Sequence, residues 1–397
     1  MSVAEHLARV RDVALPVCDV LAERVDGART PAWCEARGWS PFLLTLTDQE
    51  VREAEAHGLA TAMPERAPES LQSLARDVAR VTSLPGVTGT TPLDDEALRN
   101  VRLRKRAQLS RLLAAVGPMA EVAERIVDVG AGSGHFTRLS AELFQREAVG
   151  LEQSAERVAS AKQRSQVRLA SFVAVDALDE LSLTPADLAI GLHACGALGD
   201  HLARAAARAR CGLALVSCCL QKIATDVRSP LAGGIELRRE HLGLANLTSQ
   251  PRGVEASIEV TIGARQTRYA LGQLLRARGV ELEPGAEMSG INRRQANAGL
   301  AVVAVRALSL RQLAPPTDAE LAHHEALAAR DYAIIRRLSL PRSMLSRLVE
   351  VLVSLDRGAL LEGSGLSVRV ATLFDRSVSP RNIGIFAHQD RRRLPAA

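Results

Sequence analysis

The side chains in this chain best suited to chemistry stand where short apolar runs end, which is where an alternating strand and helix fold gathers its working groups. Asp128 falls inside Ile126-Val-Asp-Val-Gly-Ala-Gly-Ser-Gly-His-Phe136, an apolar run breaking into a glycine-crowded turn. Glu152 ends the next run, Ala148-Val-Gly-Leu, and Asp176-Ala177 follows a third, Ser171-Phe-Val-Ala-Val175. His193-Ala-Cys-Gly196 follows a fourth and Ser217-Cys-Cys-Leu-Gln-Lys222 a fifth. Gly130, Gly132 and Gly134, with Ala131 between the first two, let the backbone turn sharply and leave no Cβ between loop amides and a ligand, while the following helix points its positive end at the same place. A dinucleotide fingerprint would need glycine where His135 stands, so the loop suits an adenosyl sulfonium, S-adenosylmethionine, better than a hydride carrier. Asp128 is then expected to face the donor's ammonium, Glu152, about 20 residues on, its ribose hydroxyls, and Asp176 with Ala177 its adenine. Each has a plainer alternative: Asp128 could cap the next turn, Glu152 could be a solvated acid at a helix start, and the glycines could serve only as turns.

A methyl on sulfonium needs in-line alignment and, for some acceptors, removal of a proton. His193, Cys195, Cys219 and Lys222 are the candidate catalytic residues. His193 is the first candidate base, with an ordinary pKa near 6.5, although a strand-end histidine often only shapes a loop. Lys222 could lower a nucleophile's pKa or hold a phosphate, or could be a surface lysine. His193, Cys195, Cys218 and Cys219 offer four nitrogen and sulfur ligands of the kind zinc prefers, but adjacent cysteines rarely suit one tetrahedral site. The expectation is no metal, with the thiols lining an apolar donor pocket.

The elements that must position these residues follow the same rhythm. Strands and helices alternate from about Arg102 to Ser217, predicting an α/β fold with a doubly wound, Rossmann-like parallel sheet, its carboxyl edge carrying the site. Residues 1–95 read as helices forming an N-terminal cap, with Pro85-Gly-Val-Thr-Gly-Thr-Thr-Pro92 as a linker. Residues 96–222 form the core and 223–340 an insertion on the substrate side, with a helix expected over Gln266–Arg278 and a strand over Leu300–Val305. Residues 341–397 supply a helix from Pro341 to about Asp356 and two runs, Ser367–Phe374 and Ile383–Phe386, expected to be an antiparallel pair closing the sheet.

At 397 residues and 47% hydrophobic content the chain can bury a substantial core. No apolar run reaches membrane-spanning length and the first residues lack the order of a signal peptide, so the expected compartment is the cytoplasm. Six cysteines without regular spacing make no disulfide framework. The net charge of +5 suits a polyanionic partner only weakly, because arginine dominates and Lys105, Lys162 and Lys222 are the only lysines. The 3% aromatic content argues against a broad base-stacking platform.

The Gly191-Leu-His-Ala-Cys-Gly196 and Cys218-Cys-Leu-Gln-Lys222 motifs resemble those of the methyltransferase-like protein twenty-five family, whose other branch is the ribosomal RNA adenine dimethylase domain-containing type. Leu373-Phe-Asp-Arg-Ser-Val-Ser-Pro-Arg-Asn382 is similar to that family's Phe-Asp-Pro-x-x-Ser-Pro-Arg-Asn signature, with Arg376 where proline is usual. A more distant likeness is to tRNA 2′-O-methyltransferases of the Trm-thirteen type. The resemblance implies a Class I methyltransferase using S-adenosylmethionine on RNA or a ribosomal protein, with Lys105 on the basic helix before the glycine loop facing the substrate. Arg381 and Asn382, at a strand junction beside the sheet edge, could clamp the substrate, or Ser379-Pro-Arg-Asn382 could be a hairpin turn and nothing more. Ser133 departs from the lysine common in relatives' loops. No Asn/Asp-Pro-Pro-Tyr/Phe motif follows the fourth strand, so adenine N6 methylation is not carried over. A scaffold that binds cofactor or RNA without catalysis, and a small-molecule methyltransferase, are the alternatives.

Overall fold

The computed structural model describes residues 1–27, 29–94, 98, 101–246, 255–283, 285–375 and 378–396; Arg376 of the C-terminal motif lies outside them. The chain divides into two compact units, one of residues 1–22, 76–250 and 345–397 and the other of 23–75 and 251–344.

The first unit is built on a seven-stranded sheet. Strands β1 (Arg125–Val129), β2 (Glu147–Glu152), β3 (Ala170–Ala174), β4 (Asp187–Leu192) and β5 (Gly212–Val216) run parallel in the order β3-β2-β1-β4-β5. A small ladder of β6 (Val227–Arg228) and β7 (Leu237–Arg238) follows, and β8 (Ser367–Thr372) and β9 (Ile383–His388) extend the large sheet beyond β5 in the order β5-β9-β8. Every residue of β4 and β5 is buried, which explains why both read as unbroken apolar runs: helices cover both faces of a doubly wound sheet. The fold is the mixed α/β, Class I methyltransferase-like arrangement that the alternation predicts. The order reverses between β1 and β4, so the carboxyl ends of those strands open onto a crevice.

The two C-terminal runs are the expected antiparallel pair. Because β9 runs against β5, with Val216 opposite Gly384, the residues just before β9 reach the edge where β5 ends. The Pro85–Pro92 segment is more than a connector: Val87 N–H donates to Thr372 O and Thr372 N–H to Pro85 O, both at 2.8 Å, tying it to β8. The first helix, Val3–Ala14, opens on a Ser2/Glu5 capping box and sits on helix Ser346–Gly363, where Gly358 admits Val3 and the Glu362 carboxylate accepts from the Val3 and Ala4 amides.

The second unit is helical. Its helices Glu255–Ala277, Leu300–Ser309 and Asp318–Met344 enclose a core that includes Leu271, Leu274, Val303 and Leu308. Residues 300–305, expected as a strand, form part of a helix: Leu300, Val303, Ala304, Ala307 and Leu308 are buried at helical spacing, and that periodicity outweighs the strand preference of three valines. The helix expected over Gln266–Arg278 starts earlier, at Glu255, and Pro341 lies inside one helix while a second begins at Ser346. Trp39 is buried there, donating from Nε1 to Ser70 Oγ at 2.9 Å.

Candidate active site

The first three strand ends make one half of the site. Asp128 is 2% exposed and accepts a hydrogen bond from Thr137 Oγ1 at 2.7 Å. Burial pushes its pKa up to about 6, against the Thr137 hydrogen bond and the nearby Lys105 ammonium, which hold it down. Gly130, Gly132 and Gly134 all adopt left-handed φ of 77°, 58° and 72°. They differ in what a Cβ would meet. At Gly132 it would find nothing within 4 Å, leaving free space over the loop, whereas at Gly134 it would overlap the Phe172 ring. Gly132 thus borders open space and Gly134 is the packing glycine. Glu152 accepts from Gly132 N–H at 2.9 Å and Ser154 N–H at 3.1 Å, fastening the loop to the end of β2. Asp176 accepts from Leu178 N–H and from Gln153 Nε2, with Ala177 buried beside it. Free space above a Cβ-less loop, with acids at three successive strand ends, fits an adenosyl donor carrying an ammonium.

The ends of β4 and β5 make the other half. His193 closes β4 at φ 73°, a conformation a side chain adopts at a cost, and its N–H donates to Val216 O at 2.8 Å. Its Nε2 lies 3.4 Å from Gln108 Oε1, so in the tautomer that donates to Gln108 the lone pair sits on Nδ1. Burial, then the Lys105 and Arg104 charges, lower its pKa to about 4, so the imidazole is neutral at physiological pH. Cys195, Cys218 and Cys219 place their sulfur atoms within 4.8 Å of one another. Cys195 is held below the ordinary thiol range chiefly by the Cys218 hydrogen bond, and Cys218 is pushed up by that same contact and by burial. The Lys222 carbonyl accepts from Ala197 N–H at 2.8 Å, and a Cβ on Gly196 would overlap that carbonyl, so only glycine allows the two loops to meet there.

Lys105 joins the halves. Burial lowers its ammonium while Asp128 and Cys218 raise it, and its charge is felt at His135 and His193. Arg381 takes a different place from the substrate clamp expected of it: 7% exposed, it donates to Ala245 O and Asn246 Oδ1, both at 2.6 Å, with Glu350 at 3.8 Å. Asn382, also buried, donates to Phe374 O at 3.0 Å, and its Oδ1 has no hydrogen-bond partner among the described residues.

Four residues that brace the site escape a reading of strand ends. Arg357 is fully buried, donating to Asp200 at 2.7 Å, to Gly196 O at 2.9 Å and to Ser217 Oγ, so one guanidinium ties the loop after β4 to the loop after β5. Arg228 bridges Asp200 and Asp356 at 2.8 Å each, and Asp356 also accepts from the amides of Leu231, Ala232 and Gly234. Gln108 completes the set, on the same helical face as Lys105. The signals were an Asp-Arg doublet inside the apolar helix Ser346–Gly363 and a glutamine beside the leucine stripe of helix Leu103–Ala120.

Residues 104–226 match the family model of a methyltransferase domain. A Xenopus laevis protein described as glutathione S-transferase C-terminal domain-containing protein is 26% identical over 175 residues, covering 42% of this chain and 28% of the relative's own length. Among solved structures, the sugar N-methyltransferase KedS8 from Streptoalloteichus sp ATCC 53650 is 19% identical over 37% of this chain and 64% of its own, with a TM-score of 0.26. Magnesium protoporphyrin IX methyltransferase from Synechocystis PCC 6803 is 14% identical over 47% of this chain and 86% of its own, with a TM-score of 0.25.

Proposed function

We propose that this chain, whose residues 104–226 carry a methyltransferase domain of the S-adenosylmethionine-dependent kind, transfers a methyl group to RNA or to a ribosome-associated protein. The observation that carries the reading is the run of acids at the ends of β1, β2 and β3, beside the free space above Gly132. S-adenosylmethionine supplies an electrophilic methyl on a sulfonium. Asp128 would hold its ammonium, Glu152 its ribose and Asp176 with Ala177 its adenine, with Glu152 exchanging one amide partner for a hydroxyl. His193 is neutral, and in the tautomer that donates from Nε2 to Gln108 its Nδ1 is available to accept a proton from the acceptor group. Lys105, between Asp128 and His193, is suited to hold an anionic part of the acceptor; Lys222 supplies a second cation toward Cys195. The row Arg102, Arg104, Lys105 and Arg106 at the start of helix Leu103–Ala120 supports a polyanionic substrate, as does the resemblance in the His-x-Cys-Gly and Cys-Cys motifs.

Calorimetric titration of the purified protein with S-adenosylmethionine and S-adenosylhomocysteine tests the donor, with Gly132→Arg as control. Micromolar binding that the substitution abolishes is expected; absence of binding to folded protein would remove the enzyme reading and leave a scaffold. A tritiated-methyl assay against RNA and ribosomal protein then tests the acceptor. Loss of labelling on ribonuclease treatment is the result expected for RNA, and labelling that needs no macromolecule would overturn both macromolecular substrates.

A further inference from the structure

Cys195 follows β4, and Cys218 and Cys219 follow β5, yet their three sulfurs lie within 4.8 Å of one another. Neighbouring cysteines on a strand would point to opposite faces. Here β5 has ended at Val216, and the Lys222 N–H returns to Cys219 O, so the pair lies beyond the strand with Cys219 opening a turn, and both sulfurs lie near that of Cys195. All three are half-buried free thiols, and among the described residues this is the one cluster of three or more histidine, cysteine or carboxylate ligands so gathered.

A zinc–sulfur bond of about 2.3 Å places tetrahedral sulfurs about 3.8 Å apart, so the cluster closes onto an ion by sulfur movements of about 1 Å. The surroundings suit the resulting charge. Three thiolates around a divalent cation leave one net negative charge, and the Lys222 and Lys105 ammonium groups act on Cys195 and Cys218 respectively. Cys219 N–H donates to the Cys195 sulfur at 3.4 Å, a contact that suits a thiolate. His193 turns Nε2 to Gln108 and is not part of the cluster, which leaves the fourth coordination position for water or an added ligand.

We propose that Cys195, Cys218 and Cys219 form a three-thiolate site for a soft divalent cation, zinc being the physiological one, that fastens the loop after β4 to the loop after β5. Binding exchanges three S–H bonds for three sulfur–metal bonds and releases up to three protons to solvent. The site stands independently of the methyl donor.

The full chain, reduced and stripped of metal with a chelator, is titrated with Cd2+ while its sulfur-to-cadmium ultraviolet absorption is followed, and with Zn2+ against a chromophoric chelator. The expected result is one ion per chain with the absorption of three thiolates. Cys195→Ser or Cys218→Ser is expected to weaken binding by at least about a hundredfold, the upper end of the loss caused by removing an outer-sphere partner. Cys18→Ser should leave it unchanged. No absorption in the folded protein, or unchanged affinity in the Cys195→Ser/Cys218→Ser/Cys219→Ser variant, would overturn the proposal. Should that variant fail to fold, alkylation of the wild-type chain decides: Zn2+ is expected to protect residues 195, 218 and 219, and protection elsewhere or nowhere would overturn the site.

Discussion

At the ends of β1, β2 and β3 the acids are held from within the adjoining strand ends: Asp128 by Thr137 nine residues on, Glu152 by Ser154 and by Gly132 of the glycine loop, and Asp176 by its own turn and by Gln153. At the ends of β4 and β5 the loops are held from afar, by an arginine 161 residues from Gly196 and 140 from Ser217. The first half is therefore closed by bonds among its own strand ends and turns, and its acids stand near the open space over Gly132. The second half is tied in addition to helix Ser346–Gly363, and its charges face one another. A donor cradle built locally thus stands beside a frame assembled over long range, and the two should fail differently.

The largest effect is expected at the frame. Arg357→Leu leaves Asp200 with Arg228 alone and leaves Gly196 O and Ser217 Oγ without their guanidinium partner. Removing one member of a buried ion network costs about 3–5 kcal/mol, so denaturant unfolding should show a loss of that order. A loss below about 1 kcal/mol would mean that the guanidinium does not brace the loops. On the cradle side the glycines separate packing from binding. Gly134→Ala meets the Phe172 ring at positive φ and should cost about 2–4 kcal/mol by strain and overpacking together. Gly132→Ala meets nothing, should cost only the φ term of about 1–2 kcal/mol, and should weaken donor binding instead. Equal stability losses at the two positions would erase the distinction between them.

That difference also explains which parts were legible in the sequence. The five parallel strands and the glycine loop stood out because a buried strand must be apolar and its end must change character abruptly, and Asp128, Glu152 and Asp176 fall at those changes. The β8–β9 pair was legible for the same reason. Arg357 and Asp356 were not, because a buried charge is recognisable only through partners, and Asp200 and Arg228 are brought to them by tertiary packing. Arg381 and Asn382 stand at a strand junction that suits a substrate clamp or a plain hairpin turn; folding turns Arg381 inward to Ala245 and Asn246. Leu300–Val305 misled because three valines favour a strand, while the burial that decides the matter spans ten residues.

The pH dependence of donor binding sharpens the cradle further. Asp128 carries a pKa raised to about 6, so the carboxylate that would meet the donor ammonium is present above that value and protonated below it. Affinity should be greatest near pH 7 and fall as pH drops below 6, by up to about tenfold per unit. Calorimetry across pH 5–8 checks this, and Asp128→Asn should be weak and level throughout. A wild-type profile without the fall would place the ammonium elsewhere.

The smallest effect at neutral pH lies at His193, where the two halves meet. Its positive φ costs about 1–2 kcal/mol for a residue with a Cβ, so His193→Gly should gain stability, by about 1 kcal/mol at pH 7 after lost contacts are counted. The pH dependence fixes the sign of a second term. The unfolded histidine takes its proton near pH 6.5 and the folded one only near 4, so the unfolded state binds more protons between those values. Wild-type stability therefore falls as pH drops from 6.5 toward 4, and the glycine variant lacks that loss, so the gap between them should widen by up to about 1.4 kcal/mol per pH unit over that window. Methyl transfer gives the complementary reading. A base that stays unprotonated down to pH 4 produces no limb in the rate between pH 6 and 8, yet its removal lowers the rate at every pH in that range. A glycine variant that is more stable and fully active would make the imidazole a loop-shaping group and leave proton removal to solvent.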